Sequence, residues 1–150
     1  MRILFTCSSG GHLEELLQLK KIIKENESYL LTEANQLKKE TFNRIFTVKQ
    51  INRKEKFFFL HFIELIFYSF FVYKKIKPDV IISTGALVTV PISIIAKLFH
   101  KKVIYIESFA RIYKPSLTGK IMYKFADVFI VQWKELLKYF PRAKYFGGIF

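Results

Sequence analysis

Residues 2–13 read Arg2-Ile3-Leu4-Phe5-Thr6-Cys7-Ser8-Ser9-Gly10-Gly11-His12-Leu13. A short apolar run that stops at serines and glycines, with a helical pattern starting directly after it, is how a βαβ unit opens. The apolar part, Ile3 to Phe5, is far too short for the core of a secretory signal. Downstream, Leu13, Leu16, Leu17 and Ile23 share one helical face, while Glu14, Glu15, Lys21 and Lys24 fall elsewhere.

The same rhythm runs to the end of the chain. Strands are predicted at Arg2 to Thr6, Ser28 to Leu31, Ile45 to Val48, Asp79 to Ser83, Lys102 to Ile106, Asp127 to Val131 and Lys144 to Phe146. Several are unbroken Ile/Val/Phe runs, as parallel strands covered on both faces require. Crossover helices fit at about 34–41, 57–75, 88–99, 116–125 and 132–138. No repeat or Pro/Ser-rich linker interrupts the pattern, so residues 1–150 are expected to form one domain. The fold class is α/β: a Rossmann-like, doubly wound, mostly parallel sheet.

Composition narrows the function. The 25 Lys and Arg against 12 Asp and Glu give a net charge of +13, a field that attracts nucleic acid, an anionic bilayer or phosphorylated substrates. A single cysteine, Cys7, excludes an internal disulfide and fits a reducing cytosol. Aromatic residues make up 17% of the chain, and the excess sits in one place. Residues 57–73, from Phe57 to Tyr73, carry nine aromatics and are flanked by Arg53, Lys54, Lys56 and by Lys74, Lys75, Lys77. As a helix this stretch spans about 26 Å, short of the roughly 30 Å hydrocarbon core, and it carries His61 and Glu64 near its middle. A simple transmembrane span is therefore not expected. His61, Glu64, Tyr68 and Lys75 fall on one narrow stripe and leave most of the circumference apolar, where a crossover helix needs only one apolar face. The surplus face, containing Phe58, Phe59, Phe62, Ile66, Phe67, Phe70 and Phe71, suits an interfacial helix seated among lipid headgroups, or burial against a partner. It lacks the interleaved basic and aromatic pattern of a base-stacking surface, and no nucleic acid is expected as a partner.

In doubly wound sheets ligands bind beyond the carboxyl ends of the strands, and three such loops carry suitable chemistry. Ser8-Ser9-Gly10-Gly11-His12 reads either as a phosphate-binding turn or as a tight turn capped by Ser8 or Ser9. His12, titrating near neutrality, suits a general base or a surface role. Ser83-Thr84-Gly85-Ala86 again pairs hydroxyls with glycine before a helix, for a diphosphate or for ordinary capping. Glu107-Ser108, followed by Arg111, Lys114 and Pro115-Ser116, offers a carboxylate that either takes a hydroxyl proton or ion-pairs with Arg111.

Together, Ser8-Ser9-Gly10-Gly11-His12, Gly85 to Pro91 and Tyr105-Ile106-Glu107-Ser108 resemble, in order and spacing, the N-terminal half of GT-B glycosyltransferases of the MurG type. Those enzymes carry a Gly-Gly-x-x-Gly-His loop, a glycine-rich loop ending in Ser-x-Pro and a His-Glu-Gln segment. The longer glycine set of the first loop is missing here. Adding Glu107-Ser108-Phe109-Ala110-Arg111, Asp127 to Trp133 and Gly147-Gly148-Ile149-Phe150, the whole chain looks like the split form. That form is the ALG-fourteen family, the membrane subunit of the eukaryotic UDP-N-acetylglucosamine transferase of dolichol-linked oligosaccharide assembly, with its bacterial capsule counterparts, the CpsF and PssD proteins.

The resemblance implies the acceptor half of a GT-B fold. It also implies a subunit inactive alone, which holds a polyprenyl-diphosphate-linked sugar at the cytoplasmic face of the cell membrane. A donor-binding subunit of the ALG-thirteen, CpsG or PssE kind brings the UDP-sugar. His12 and Glu107 are the expected catalytic residues. Ser8, Ser9, Gly10, Gly11, Thr84, Gly85, Arg111 and Lys114 are expected on the acceptor diphosphate, and Gly148, Ile149 and Phe150 on the partner. No cofactor and no metal are expected. The eukaryotic relatives' N-terminal anchor is not expected here, so peripheral attachment to the anionic membrane surface falls to the 57–73 helix. The rival reading is a non-catalytic membrane scaffold that recruits and enhances a self-sufficient glycosyltransferase.

Overall fold

In a computed structural model that describes residues 1–33 and 41–150, the chain forms one seven-stranded sheet in which every pairing is parallel. The strands are β1 (Arg2–Cys7), β2 (Glu27–Thr32), β3 (Arg44–Thr47), β4 (Val80–Ser83), β5 (Lys102–Ile106), β6 (Val128–Val131) and β7 (Lys144–Tyr145). Their spatial order, β3-β2-β1-β4-β5-β6-β7, is that of a doubly wound Rossmann-like sheet, as expected. The direction of winding reverses between β1 and β4, which pair from Ile3 opposite Val80 to Thr6 opposite Ser83.

Helices α1 (Gly11–Leu17), α2 (Lys20–Glu25), α3 (Phe58–Ile76), α4 (Thr89–Leu98) and α5 (Leu117–Met122) cover the sheet. The period-2 alternation of strand side chains divides the interior into two cores. On β1, Ile3, Phe5 and Cys7 turn towards Leu13, Leu16 and Ile23 of α1 and α2, while Leu4 joins Leu65, Val72, Ile92, Ile95 and Met122 under α3, α4 and α5. Burial at Cys7 is complete enough to push its thiol up to about 12. At the far end of the second core, Phe129 stacks on Tyr105 at 5.0 Å between centroids and meets Phe140 at 4.6 Å and Tyr123 at 5.2 Å.

Three sequence-based boundaries change. The helix after β1 breaks at Gln18 and Leu19, whose N–H groups bond the carbonyls three residues back, Glu15 at 3.1 Å and Leu16 at 3.0 Å, closing α1 with a tight turn. The predicted 116–125 helix stops at Met122 for the same reason, as Lys124 and Phe125 bond Ile121 and Met122. Residues 132–138 form only a 3-10 helix, Lys134–Lys138. Of the helix expected at 34–41, residues 34–40 lie outside the described residues.

The long aromatic helix forms as predicted, and its faces separate. Leu65, Ser69, Val72, Tyr73 and Ile76 pack into the core, whereas Phe59, Ile63, Ile66, Phe67, Phe70 and Phe71 are exposed, Phe59 by 79% and Phe67 by 71%. Among the described residues no helix is long and apolar enough to cross a membrane. This division sets a contrast in stability. Phe129→Ala is expected to lower the unfolding free energy by about 3–5 kcal/mol. Phe67→Ala should change it by no more than about 0.5 kcal/mol. Urea denaturation of both variants measures the difference.

Candidate functional site

The loops that follow β1 and β4 meet where the winding reverses, and they are tied by two reciprocal hydrogen bonds. His12 Nδ1 lies 2.8 Å from the Thr84 carbonyl oxygen, and Thr84 Oγ1 donates to the His12 carbonyl at 2.6 Å. A carbonyl only accepts, so Nδ1 carries the proton and Nε2 is left with the lone pair. Burial lowers the pKa of the imidazole below 6.5 and Arg111 adds to that; the Thr84 carbonyl and the charge of Glu107 pull the other way. His12 is thereby held neutral, in a fixed tautomer, at neutral pH.

Gly85 makes this contact possible. Its φ is +125°, and a Cβ there would stand 2.9 Å from His12 Cε1 and 3.0 Å from Nδ1. Behind it, Ser83 Oγ takes the Gly85 N–H at 3.0 Å and meets Thr89 Oγ1 at 2.7 Å, so the loop's own hydroxyls fix its shape. Thr84 and Gly85 are buried beneath the imidazole. At the first loop, no side chain caps α1: Gly10 is the capping residue, its carbonyl takes the Leu13 and Glu14 N–H groups, and Ser8 Oγ reaches only the neighbouring Ser9 carbonyl at 3.4 Å.

Glu107, directly after β5, is fully buried. Its carboxylate accepts from the Ser108 N–H at 3.0 Å, the Ser116 N–H at 3.3 Å and Ser116 Oγ at 2.8 Å, and Ser116 in turn caps α5 through the Gly119 N–H. Among the described residues it makes no ion pair with Arg111, the partner considered from the sequence; burial raises its pKa and these hydrogen bonds restrain the rise. A Cβ on Gly119 would fall 1.8 Å from Glu107 Oε2.

A second buried carboxylate belongs to Glu15, which the helical pattern places off the apolar face but which is only 4% exposed. It accepts from Ser108 Oγ at 3.1 Å, the Phe109 N–H at 3.0 Å and Gln132 Nε2 at 3.2 Å. Gln132 also donates to the Glu107 carbonyl at 3.0 Å and accepts the Ile149 N–H at 2.8 Å, while Trp133 Nε1 donates to the Phe109 carbonyl at 2.7 Å. One polar chain thus runs from α1 under the β5 loop to the C-terminal segment. There Phe150 meets Phe109 at 5.3 Å, and Phe146 and Phe150 stay exposed.

Above these anchors opens a cavity of about 870 Å³ at the carboxyl ends of the strands. Ser8, His12 and Arg111 line it, together with Ser108, Ser116 and Thr118, and its far wall is the segment 50–54. Ser9, Gly10 and Gly11, predicted on the ligand, are exposed on the β1 loop between Ser8 and His12 and are not part of the lining. Lys114 is exposed and lies off the lining. The sequence reading missed the 50–54 wall, Glu15 and Gln132. For Gln132 the signal was its place immediately after β6; for Glu15 no helical periodicity marks it.

The family model described as "Oligosaccharide biosynthesis protein Alg14 like" matches residues 3–149. The chain belongs to the Alg14 family. The UDP-N-acetylglucosamine transferase subunit ALG14 of Rattus norvegicus is 29% identical over 177 residues, covering 98% of this chain and 82% of that one. The subunit of Saccharomyces cerevisiae is 61% identical over 46 residues, 30% of this chain and 19% of its own. Among solved structures, Acinetobacter baumannii MurG superposes with a TM-score of 0.73 at 18% identity, over 89% of this chain and 42% of MurG. S. aureus MnaA with UDP gives 0.72 at 12% identity, over 99% of this chain and 46% of its own. The chain spans less than half of these two enzymes, and the likeness is one of fold.

Both close approaches of glycine are measurable. Gly119→Ala should cost about 3 kcal/mol of stability, because the buried carboxylate loses its seat. Gly85→Ala should cost about 1–3 kcal/mol and shift the His12 imidazole resonances in an NMR titration. A titration of His12 unchanged by the latter would separate the two loops.

Proposed function

We propose that this protein is the acceptor-binding, membrane-associated subunit of a two-chain glycosyltransferase. It works with a donor-binding subunit to transfer a sugar from a UDP-sugar to a polyprenyl-diphosphate-linked saccharide, in lipid-linked oligosaccharide or capsular polysaccharide synthesis. The observation that carries this reading is His12: its Nδ1–H is engaged by Thr84 and its Nε2 lone pair is available beside a cavity of about 870 Å³. A neutral imidazole in that tautomer can accept the proton of an acceptor hydroxyl as the hydroxyl oxygen attacks the anomeric carbon. The UDP leaves with the electron pair of the bond it breaks, and the transfer is inverting and metal-independent. The family membership and the relatives' names supply the reaction class.

In this reading Ser8, Ser9, Gly10, Gly11 and Arg111 border the acceptor, and Lys114 lies on its approach. Thr84 and Gly85 position the base from below. Glu107, wholly engaged by Ser108 and Ser116, serves as a positioning group for the β5 loop rather than as the base. Gly148, Ile149 and Phe150 form the edge that meets the donor-binding chain. The protein sits at the cytoplasmic face of the cell membrane, with the exposed Phe59, Ile66, Phe67, Phe70 and Phe71 of α3 at the lipid; of the other two rings expected there, Phe58 is half-buried and Phe62 packs against the core.

With the donor-binding partner reconstituted, His12→Gln should lower kcat by about 10²–10⁴-fold. The pH dependence of kcat/KM should show the reaction failing as pH falls below the ordinary histidine value of 6.5, since burial depresses the pKa and the neutral form is the active one. Full activity of the variant, or of the partner assayed alone, would remove the assignment. For the membrane, Phe67→Ser with Phe71→Ser should weaken flotation with anionic vesicles at least tenfold, each lost ring being worth about 1.5–3 kcal/mol when buried.

A further inference from the structure

The segment between β3 and α3 has no role in the reading so far, yet it forms one wall of the cavity. Arg53 and Lys54 stand on it, and Arg111 lines the same cavity from the β5 loop. Among the described residues none of the three pairs with a carboxylate. The one carboxylate in the lining, Glu33, is engaged instead by the Ile51 N–H. Among the described residues Arg53 Nη2 donates to a neutral oxygen, Thr118 Oγ1 at 3.3 Å, which belongs to the same lining. Three cations share the cavity with that single carboxylate, so positive charge is in excess there, and an anion between the cations relieves their mutual repulsion.

The segment is also built to hold its shape. Asn52 Oδ1 accepts the Lys54 N–H at 3.1 Å, the Asn52 carbonyl accepts the Glu55 N–H at 3.0 Å, and the Glu55 carboxylate meets His61 Nδ1 of α3 at 2.5 Å. It then runs straight into Phe57 and Phe59, exposed by 55% and 79% at the start of the apolar face. Among the described residues no Phe, Tyr or Trp lines the cavity, so it lacks the large aromatic platform on which a nucleobase stacks best. An anionic group joined to an apolar tail matches both the cations of the cavity and the exposed rings beside it, and a nucleotide would use only the first.

We propose that Arg53 and Lys54, facing Arg111, form a cationic jaw for the diphosphate of a polyprenyl-diphosphate ligand, and that the 53–59 segment leads its apolar tail onto the exposed face of α3. This rests on the acceptor-binding reading above and shifts the weight of diphosphate recognition from the glycine loops to side chains. The Arg53–Thr118 bond opens as the guanidinium turns to phosphate, a charged acceptor that holds it more strongly than a neutral hydroxyl.

Calorimetric titration of the full chain with geranyl diphosphate, geraniol and UDP tests it. The wild-type chain should bind geranyl diphosphate at least tenfold more tightly than either of the others, which separates a lipid diphosphate from a nucleotide one. R53Q/K54Q should weaken geranyl diphosphate binding about tenfold or more with an unchanged circular dichroism spectrum, while K101Q, on the α4–β5 turn, stays within twofold. Undiminished binding by R53Q/K54Q, or tighter binding of UDP than of geranyl diphosphate, overturns the jaw. His12→Gln reads the base independently: loss of transfer there alongside undiminished diphosphate binding in R53Q/K54Q removes the jaw alone. Jaw-dependent diphosphate binding without transfer by any reconstituted pair supports the jaw and removes the catalytic role.

Discussion

The pair of hydrogen bonds between His12 and Thr84 is the constraint on which the site depends. It joins residues 72 positions apart, and it exists only because β1 and β4 lie side by side at the point where the sheet reverses its winding. Parallel strands end together, so the loops that leave them emerge on the same edge and can brace each other. The absence of a Cβ on Gly85 lets the imidazole settle against the opposite loop, and the Ser83–Thr89 hydroxyl pair keeps that loop from relaxing. A ring held at one nitrogen by a carbonyl is fixed in orientation and in tautomer, which surface histidines are not.

The carboxylates tell a complementary story. In a chain of net charge +13, both Glu15 and Glu107 are buried without an ion pair among the described residues. Each is instead surrounded by N–H and O–H donors from the β5 loop, the start of α5 and Gln132. A buried carboxylate without donors would cost several kcal/mol, so these groups and the loop specify each other: the loop must adopt the one path that supplies the donors. The cations excluded from this interior are left for the cavity wall and the flanks of α3.

The sheet was legible because its code is redundant. Continuous apolar runs such as Val80-Ile81-Ile82 and Val103-Ile104-Tyr105-Ile106, separated by helix-length segments, admit few other folds. The loop residues His12, Gly85 and Glu107 were legible as candidates by their place after strands, but their relations were not. Nothing in the sequence says that Glu107 turns inward to Ser116 and Gly119, because that depends on how close two elements approach, a distance set by the missing Cβ. Glu15 was misplaced because helical periodicity assumes that buried means apolar, and α1 buries a charge by matching it with donors nearly a hundred residues away. The 50–54 wall was hidden for the opposite reason: polar, without periodicity, and next to a helix whose aromatic content drew the reading.

Those two neighbours form one surface. At the ends of α3, Lys56, Lys74 and Lys75 hold their ammonium groups 5.8, 5.8 and 5.4 Å from the ring centres of Phe57, Phe70 and Phe71. A lysine that lies along an exposed aromatic ring covers part of it in water and can swing its charge outward when the ring is buried, at the cost of a contact worth about 0.5–1 kcal/mol. An apolar face kept soluble in this way tolerates exposure and still gains from an anionic, apolar surface. Because the same helix begins where the cavity wall ends, a ligand carrying both a diphosphate and a hydrocarbon chain meets cations, then aromatics, in the order in which its own parts occur. Recognition of such an amphiphile, as proposed, needs no enclosed apolar channel: its tail can stay at the surface while the charged head alone enters the cavity.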